Sequence, residues 1–398
     1  MRWTQTRPAC DDAFMRTVVT AAWLWDGRGL MRAPVVEIVD NRVSRIWSLQ
    51  EGEIPAEARR LDFPGATLAP AFLDVHIHGG AGHDVMEATP EALSTVSQFL
   101  ASRGTGRFLA TTVTAPMDAT LRSLEGLAKR IEDAKAEDWQ GARPLGIHLE
   151  GPFLSHAKRG VHPPEHLLEP NIAIFDRFFD AAEGKVRLMT LAPELPGALE
   201  LAAHATARGV RVSVGHSNAT AAETRKAITA GATSATHTFN AMRALDHREP
   251  GILGTVLGTD SLYAELICDG IHVDSSLVPV WWRSKGTKRA ILVTDAMSAA
   301  GMPDGDYTLG GFPVKVAGGR AEANGVLAGS VLTLDLALKN FMAFTGESVE
   351  SALPLVTRNP AAMTGLGEFA GVVQVGGTVN LVALGVDGAL QASMIGAV

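Results

Sequence analysis

Cysteine is nearly absent: Cys10 and Cys268 are the only two in 398 residues, too few for a disulfide framework. Cys268 lies in the apolar run "YAELICDG" and reads as a small packed hydrophobe. No run reaches the ~18 apolar residues of a membrane span, and "MRWTQTRPACDDAF" has no apolar core of signal-peptide length. The expectation is therefore a cytoplasmic protein without a membrane partner. Met15 is an alternative start, since regular patterning begins only there. A basic excess is missing too. The net charge is −8 and the pI about 5.8, which excludes a general nucleic-acid surface but not a local anion site. What is plentiful is apolar side chain, 46% against 20% charged, enough for a large buried core and against disorder.

Residues 16–50 alternate as strands do, with Asp40-Asn41 at a hairpin turn. From Thr67 the pattern changes to short β-branched runs separated by helix-length amphipathic segments. Eight strand candidates follow: "TLAPAFLDVHIHG", "RFLATTVTA", "PLGIHLEG", "VRLMTLAPE", "VRVSVGHS", "ATSATHTFN", "LYAELICDG" and "RAILVTDA". Segments such as "PEALSTVSQFLASRG" and "MDATLRSLEGLAKRIEDA" carry helical apolar spacing between them. Eight apolar strands alternating with helices imply an α/β fold, a (β/α)8 TIM-type barrel; a doubly wound open sheet is the alternative. "GVVQVGGTVNLVAL" returns to strand-like patterning. The expected organisation is a small β-sandwich domain from residues 1–66 and 368–398, with a catalytic barrel over 67–367.

In such a barrel, chemistry sits at the C-terminal strand ends. His76 and His78 end the first candidate, Glu150 the third, His216 the fifth, His237 the sixth and Asp295 the eighth. About 0.4 His-x-His pairs arise by chance in a chain of this composition, so His76 and His78 alone decide nothing. Five strand ends with imidazole or carboxylate, all converging on one mouth, do. Residues i and i+2 of a strand share a face, so both histidines can reach that mouth. Glu150, His216 and His237 form a Glu-His-His set; three ligands with one open position describe a catalytic metal site, while a structural one is closed. Asp295 is then a candidate base for a metal-activated water. His148 reads as a packed neighbour of the set.

At these residues the sequence resembles the amidohydrolase superfamily and, within it, the N-acetylglucosamine-6-phosphate deacetylase family. The segments that carry the resemblance are "HLEGPF…KRGVH", "TLAPE", "VGHSNAT", "THTFNAM", "REPG", "DGIHV", "VTDA" and "LAGS". The resemblance implies amide hydrolysis of an acetamido sugar phosphate in amino-sugar breakdown and recycling. It implies Glu150, His216 and His237 as ligands of the main divalent metal and Asp295 as general acid and base. His162 would polarise the acetyl carbonyl and bind the sugar. Val161, Asn240, Ala241, Arg248 and His272 match sugar-phosphate contacts; Leu327, Ala328 and Gly329 match a loop over the substrate. His76 and His78 would serve a second metal, giving one or two ions per subunit, with zinc first and iron, cobalt or manganese admissible. It also implies a homodimer in which Arg248 reaches the neighbouring substrate. Asn380 departs from the pattern, since many relatives have Asp there.

Each residue has a plainer reading: a solvated loop arginine at 248, a helix cap at Asn240-Ala241, a glycine turn at "GVLAGS". Three rivals stand beside the main function. They are deacetylation of the galactosamine epimer, a cyclic amidohydrolase such as dihydroorotase, and a barrel that has lost its metals and serves as a scaffold. Dihydroorotase usually calls for a bridging carboxylated lysine, and a scaffold should lack ligands that this chain keeps.

Overall fold

The computed structural model describes residues 16–367 and 370–396. Cys10, the alternative start at Met15, and the expected boundary at residue 368 lie outside the described residues.

Eight parallel strands form one sheet in strict sequence order: Phe72–Ile77, Thr105–Thr112, Arg143–Glu150, Val186–Leu191, Arg211–Val214, Ala232–Ala235, Tyr263–Ile267 and Ala290–Val293. The sheet closes on itself at its C-terminal edge. Asp295 N–H donates to the His76 carbonyl at 2.9 Å and His78 N–H to that of Ala296 at 2.8 Å. The expected TIM-type barrel is therefore present. Its helices follow the amphipathic segments. Pro90–Ser102 is capped by Thr89, whose side chain accepts from Ala92 N–H, and Ala221–Thr229 starts at a Thr220/Glu223 capping box. Gly104, Gly209 and Gly231 leave the helices at positive φ.

Both chain ends build a second sheet of seven strands. Its path runs Leu390–Ile395, Asn380–Leu384, Arg59–Pro70, Thr17–Trp25, Pro34–Val39, Arg42–Ser48, with Leu30–Arg32 pairing Thr17–Trp25. The turn at Asp40-Asn41 has φ of 51° and 58°, as a tight primed hairpin requires. One expectation shifts. "TLAPAFLDVHIHG" is two strands, because Thr67–Pro70 pair with Leu381–Leu384 in the terminal sheet, and the barrel begins at Phe72. A continuous apolar run hides that break at Ala71.

A further four-stranded antiparallel sheet, from Gly305 to Leu327, is inserted between the last barrel strand and the helix Leu334–Thr345. Its buried side chains, among them Leu309, Val314 and Val316, pack with Val113, Met297 and Ala328, placing it over the barrel mouth. "SALPLVTRNPAAMTGL" lies in two short helices, Val349–Val356 and Arg358–Met363. Cys268 is buried, and burial pushes its thiol up, so it packs and does not ionise. Among the described residues no helix is long and apolar enough to cross a membrane.

Candidate metal and active site

Three strands end on residues that carry the chemistry, and each end leaves the sheet by the same means. His216, His237 and Asp295 each lie two residues past their strands, with φ of 47°, 27° and 51°. This left-handed backbone is uncommon outside glycine, less so for His and Asp, and clusters at functional sites. It turns the chain so that the side chains gather at the mouth.

Glu150 is the hub. Its Oε1 lies 3.1 Å from His216 Nε2, 3.1 Å from His237 Nε2 and 3.3 Å from His76 Nε2. Its Oε2 lies 3.2 Å from His78 Nε2 and 3.7 Å from His162 Nε2. The Nε2 atoms of His216 and His237 are 3.0 Å apart. Asp295 Oδ1 is 3.0 Å from His78 Nε2 and 3.4 Å from His76 Nε2. Donor atoms of His76, His78, Glu150 and Asp295 lie within 4.8 Å of one another, as do those of Glu150, His162 and His216. All are buried.

The far ring nitrogens explain how the imidazoles are aimed. His78 Nδ1 sits 3.1 Å from the Thr111 carbonyl and His216 Nδ1 3.0 Å from that of Lys158. A carbonyl only accepts, so both rings carry hydrogen on Nδ1 and turn Nε2 toward Glu150. His162 is the reverse. Thr114 N–H donates to its Nδ1 at 3.3 Å, leaving Nε2 as the N–H of the neutral ring.

Burial alone would push Glu150 up, but the charge on His76 and the imidazoles of His162, His216 and His237 hold its carboxyl well below the usual range. Asp295 is likewise raised by burial and then drawn down, by His76 and His78, to about 2. Burial lowers His76 and His78, but the carboxylates outweigh it, holding His76 well above the ordinary value and His78 at about 9. Burial takes His216 down to about 4. Protons on these rings and a divalent cation compete for the same lone pairs.

The donor set fits such a cation. Asp74, Glu150, Glu265 and Asp295 are buried at this mouth, and among the described residues none pairs with a lysine or arginine in an ion pair. His76 Nε2 lies near two carboxylates yet meets neither in hydrogen-bonding geometry, and Glu265 Oε1 and His237 Nδ1 have no partner. Buried carboxylates that no lysine or arginine neutralises are costly, and a divalent ion in place of the imidazole protons offsets that cost. His148 is not in the set: its nitrogens meet Thr190 Oγ1 at 2.8 Å and Thr111 Oγ1 at 3.4 Å.

Above this floor is a cavity of about 480 Å³. Its wall contains His78, Glu150, His216, His237 and Asp295, together with Val161, His162, Asn240, Ala241, His272, Leu327 and Gly329. His272 is held by Asp269, whose Oδ2 is 2.7 Å from its Nδ1. Three expected residues stand apart. His76 lies beneath the wall, Ala328 is wholly buried behind it, and Arg248 is exposed in a turn where its N–H donates to Asp246. Lys158, in "KRGVH", is the cation on the wall that sequence reasoning passed over; nothing in the sequence ranks it above the other loop lysines. Leu309, Gly325 and Val326 of the inserted sheet also line it.

The profile of the Amidohydrolase family matches residues 67–396. The chain belongs to the amidohydrolase family. The N-acetylgalactosamine-6-phosphate deacetylase of Escherichia coli O157:H7 is 40% identical over 318 residues, 80% of this amidohydrolase and 83% of that protein. The N-acetylglucosamine-6-phosphate deacetylase of Vibrio furnissii is 34% identical over 93% of this chain and 91% of its own. The crystal structure of N-acetyl-D-glucosamine-6-phosphate deacetylase from Mycobacterium smegmatis superposes with a TM-score of 0.86 at 36% identity, covering 96% of this chain and 98% of that one. A mutant of the same protein was solved in complex with N-acetyl-D-glucosamine-6-phosphate.

The packing behind His216 gives a first prediction. A Cβ added at Gly215 would lie 2.7 Å from Thr236 Cβ and 3.1 Å from Thr190 Cγ2. Gly215→Ala is expected to cost ~1–3 kcal/mol by overpacking, read from urea unfolding. An unchanged midpoint would show that these threonines give way freely.

Proposed function

We propose that this amidohydrolase is a metal-dependent deacetylase that hydrolyses the acetamide of N-acetyl-D-glucosamine 6-phosphate to D-glucosamine 6-phosphate and acetate. One observation carries the reading. Glu150, His216, His237 and Asp295 meet at the floor of a cavity whose wall includes His162, His272 and Lys158. Relatives 33–40% identical over most of the chain are named for this class of reaction.

Glu150, His216 and His237 are the ligands proposed for the main cation, and His76 and His78 those for a second. Zinc suits this set, and iron, cobalt and manganese are admissible. When bound, such an ion supplies positive charge that acidifies water and polarises a carbonyl. The chain's own groups do the rest. Asp295, ionised at neutral pH, takes the proton of the attacking water at a carboxylate oxygen. His162 presents Nε2–H to the oxygen of the acetyl group as negative charge develops there, because Thr114 N–H occupies Nδ1. Asp295 then returns the proton to the nitrogen, which leaves as the amine. Val161, Asn240, Ala241, His272, Leu327 and Gly329, which line the cavity, are the contacts proposed for the sugar phosphate, with Ala328 supporting the loop from behind.

Acetate release from a panel of acetamido sugars tests the reading. N-acetylglucosamine 6-phosphate should exceed its unphosphorylated form, and dihydroorotate should give no turnover. The fourth barrel strand, Val186–Leu191, carries no lysine to be carboxylated. A specific observation keeps the galactosamine epimer in the panel: the Escherichia coli relative at 40% identity is named for it. Activity on that epimer alone would replace the substrate and keep the chemistry.

Arg248 is assigned to the phosphate held by a neighbouring subunit of a homodimer, in keeping with its exposure and its absence from its own cavity wall. Arg243, which follows "FNAM" directly, donates to the Asn218 carbonyl instead. A charge-assisted contact contributes ~1.5–3 kcal/mol, so Arg248→Ala should weaken the 6-phosphate substrate by about 10–150-fold. Mixed, exchanging Arg248→Ala and Asp295→Asn subunits should regain about a quarter of wild-type activity by counting hybrid sites. No recovery after confirmed exchange would confine the arginine to its own subunit. A phosphorylated substrate, charged and confined to the cell interior, favours a cytoplasmic location.

A further inference from the structure

Glu265 stands in the middle of the seventh barrel strand, "YAELI", among apolar neighbours. It is fully buried, and among the described residues it makes no ion pair with a lysine or arginine. Its Oε2 lies 3.2 Å from His76 Nδ1 and also accepts the backbone N–H of His237 at 3.3 Å. Its backbone carbonyl accepts Thr238 N–H at 2.8 Å. Oε1 has no partner. One carboxylate thus grips a ring on the first strand and the backbone beside a ligand on the sixth.

That arrangement has a chemical consequence. A carboxylate on Nδ1 keeps the hydrogen of His76 on that nitrogen and leaves Nε2 directed at Glu150 and Asp295. Without an acceptor there, the ring can turn or change tautomer, and its lone pair leaves the cluster. His78 and His216 obtain the same service from backbone carbonyls; His76 alone relies on a side chain. The half-satisfied carboxylate is itself a pointer to nearby positive charge, because a buried oxygen without a partner is costly.

We propose that Glu265 is a positioning residue of the metal centre, fixing His76 as an Nε2 ligand and tying the first strand to the His237 backbone. The inference rests on the metal-dependent reading above. It makes the second cation position depend on a residue that does not touch the substrate cavity.

The test is cation uptake by the full-length, chelator-stripped protein, titrated with Co²⁺ by visible absorption and checked by elemental analysis. The variants are Glu265→Gln, Glu265→Leu, His76→Asn and the Leu/Asn double variant. Glutamine keeps the shape and an accepting oxygen; leucine keeps only the bulk. Glu265→Leu should weaken one step of uptake by about 10–100-fold, the same step that His76→Asn weakens. Glu265→Gln should weaken it by about 3–10-fold. The double variant should bind within about threefold of His76→Asn alone, since a residue acting through another adds nothing once that partner is gone. Losses that multiply, or leucine and glutamine behaving alike, would overturn the assignment. So would equal weakening of every step. Should the leucine variant not fold, glutamine decides: binding within about twofold of wild type would overturn the proposal. Wild-type protein that takes up no Co²⁺ would instead sink the metal-dependent reading and this inference with it. Wild-type loading with unaffected Glu265 variants sinks only the inference.

Discussion

Asp295→Asn is expected to lower kcat by ~10²–10⁴ while KM and cation content hold. The side chain sits 3.0 Å from His78 and 3.4 Å from His76, and these rings draw its carboxyl down to about 2. An ionised carboxylate at this place is what a proton acceptor needs. Asparagine has the same shape and cannot accept and return that proton. Steady-state acetate release, with elemental analysis of the same sample, separates loss of the base from loss of the ion. A variant within tenfold of wild type would remove Asp295 from the mechanism.

Stripping with a chelator should abolish turnover, and zinc, cobalt or manganese should restore it at least in part. The reason lies in the same carboxylate. A carboxylate is a poor match for ordinary water, whose pKa is about 15.7, so the water must first be made acidic. Glu150, His216 and His237 bring three donor atoms within 3.1 Å of one another, the densest ligand set at the mouth. His216→Ala should therefore cost more activity than loss of His76 or His78. An ion that binds only the folded chain also stabilises it, by about 2.7 kcal/mol at a hundredfold excess over Kd. The stripped protein should melt at a lower temperature. Full activity in folded, ion-free protein would end the metal-dependent reading.

Much of this was legible in the sequence, for identifiable reasons. Parallel strands are apolar on both faces, so each barrel strand stands out, and a polar residue just beyond it stands out further: His216, His237 and Asp295 are visible in this way. Glu265 is the counterexample. It lies inside its strand, where "AELIC" reads as uninterrupted core, and its partner His76 is 189 positions away. The inserted sheet was missed because its strands are four to six residues long apart from the two-residue last one, with few of their side chains fully buried. The signal was its turns, Gly310-Gly311 and Gly318-Gly319, all at positive φ. Lys158 and Arg248 could not be ranked from sequence, since only the cavity wall separates a lysine that lines it from an arginine that does not.

The left-handed backbone at His216, His237 and Asp295 bears on how this site tolerates change. At such positions a replacement meets two filters at once, one chemical and one conformational. Asparagine and aspartate pass the second at low cost, whereas valine, isoleucine and threonine do not. A broad mutational scan would therefore overstate the chemical importance of these positions, since β-branched replacements would fail for their backbone alone. The same filter narrows the routes by which the ligand set can drift: a successful exchange has to pass through the few side chains that accept that turn of the chain.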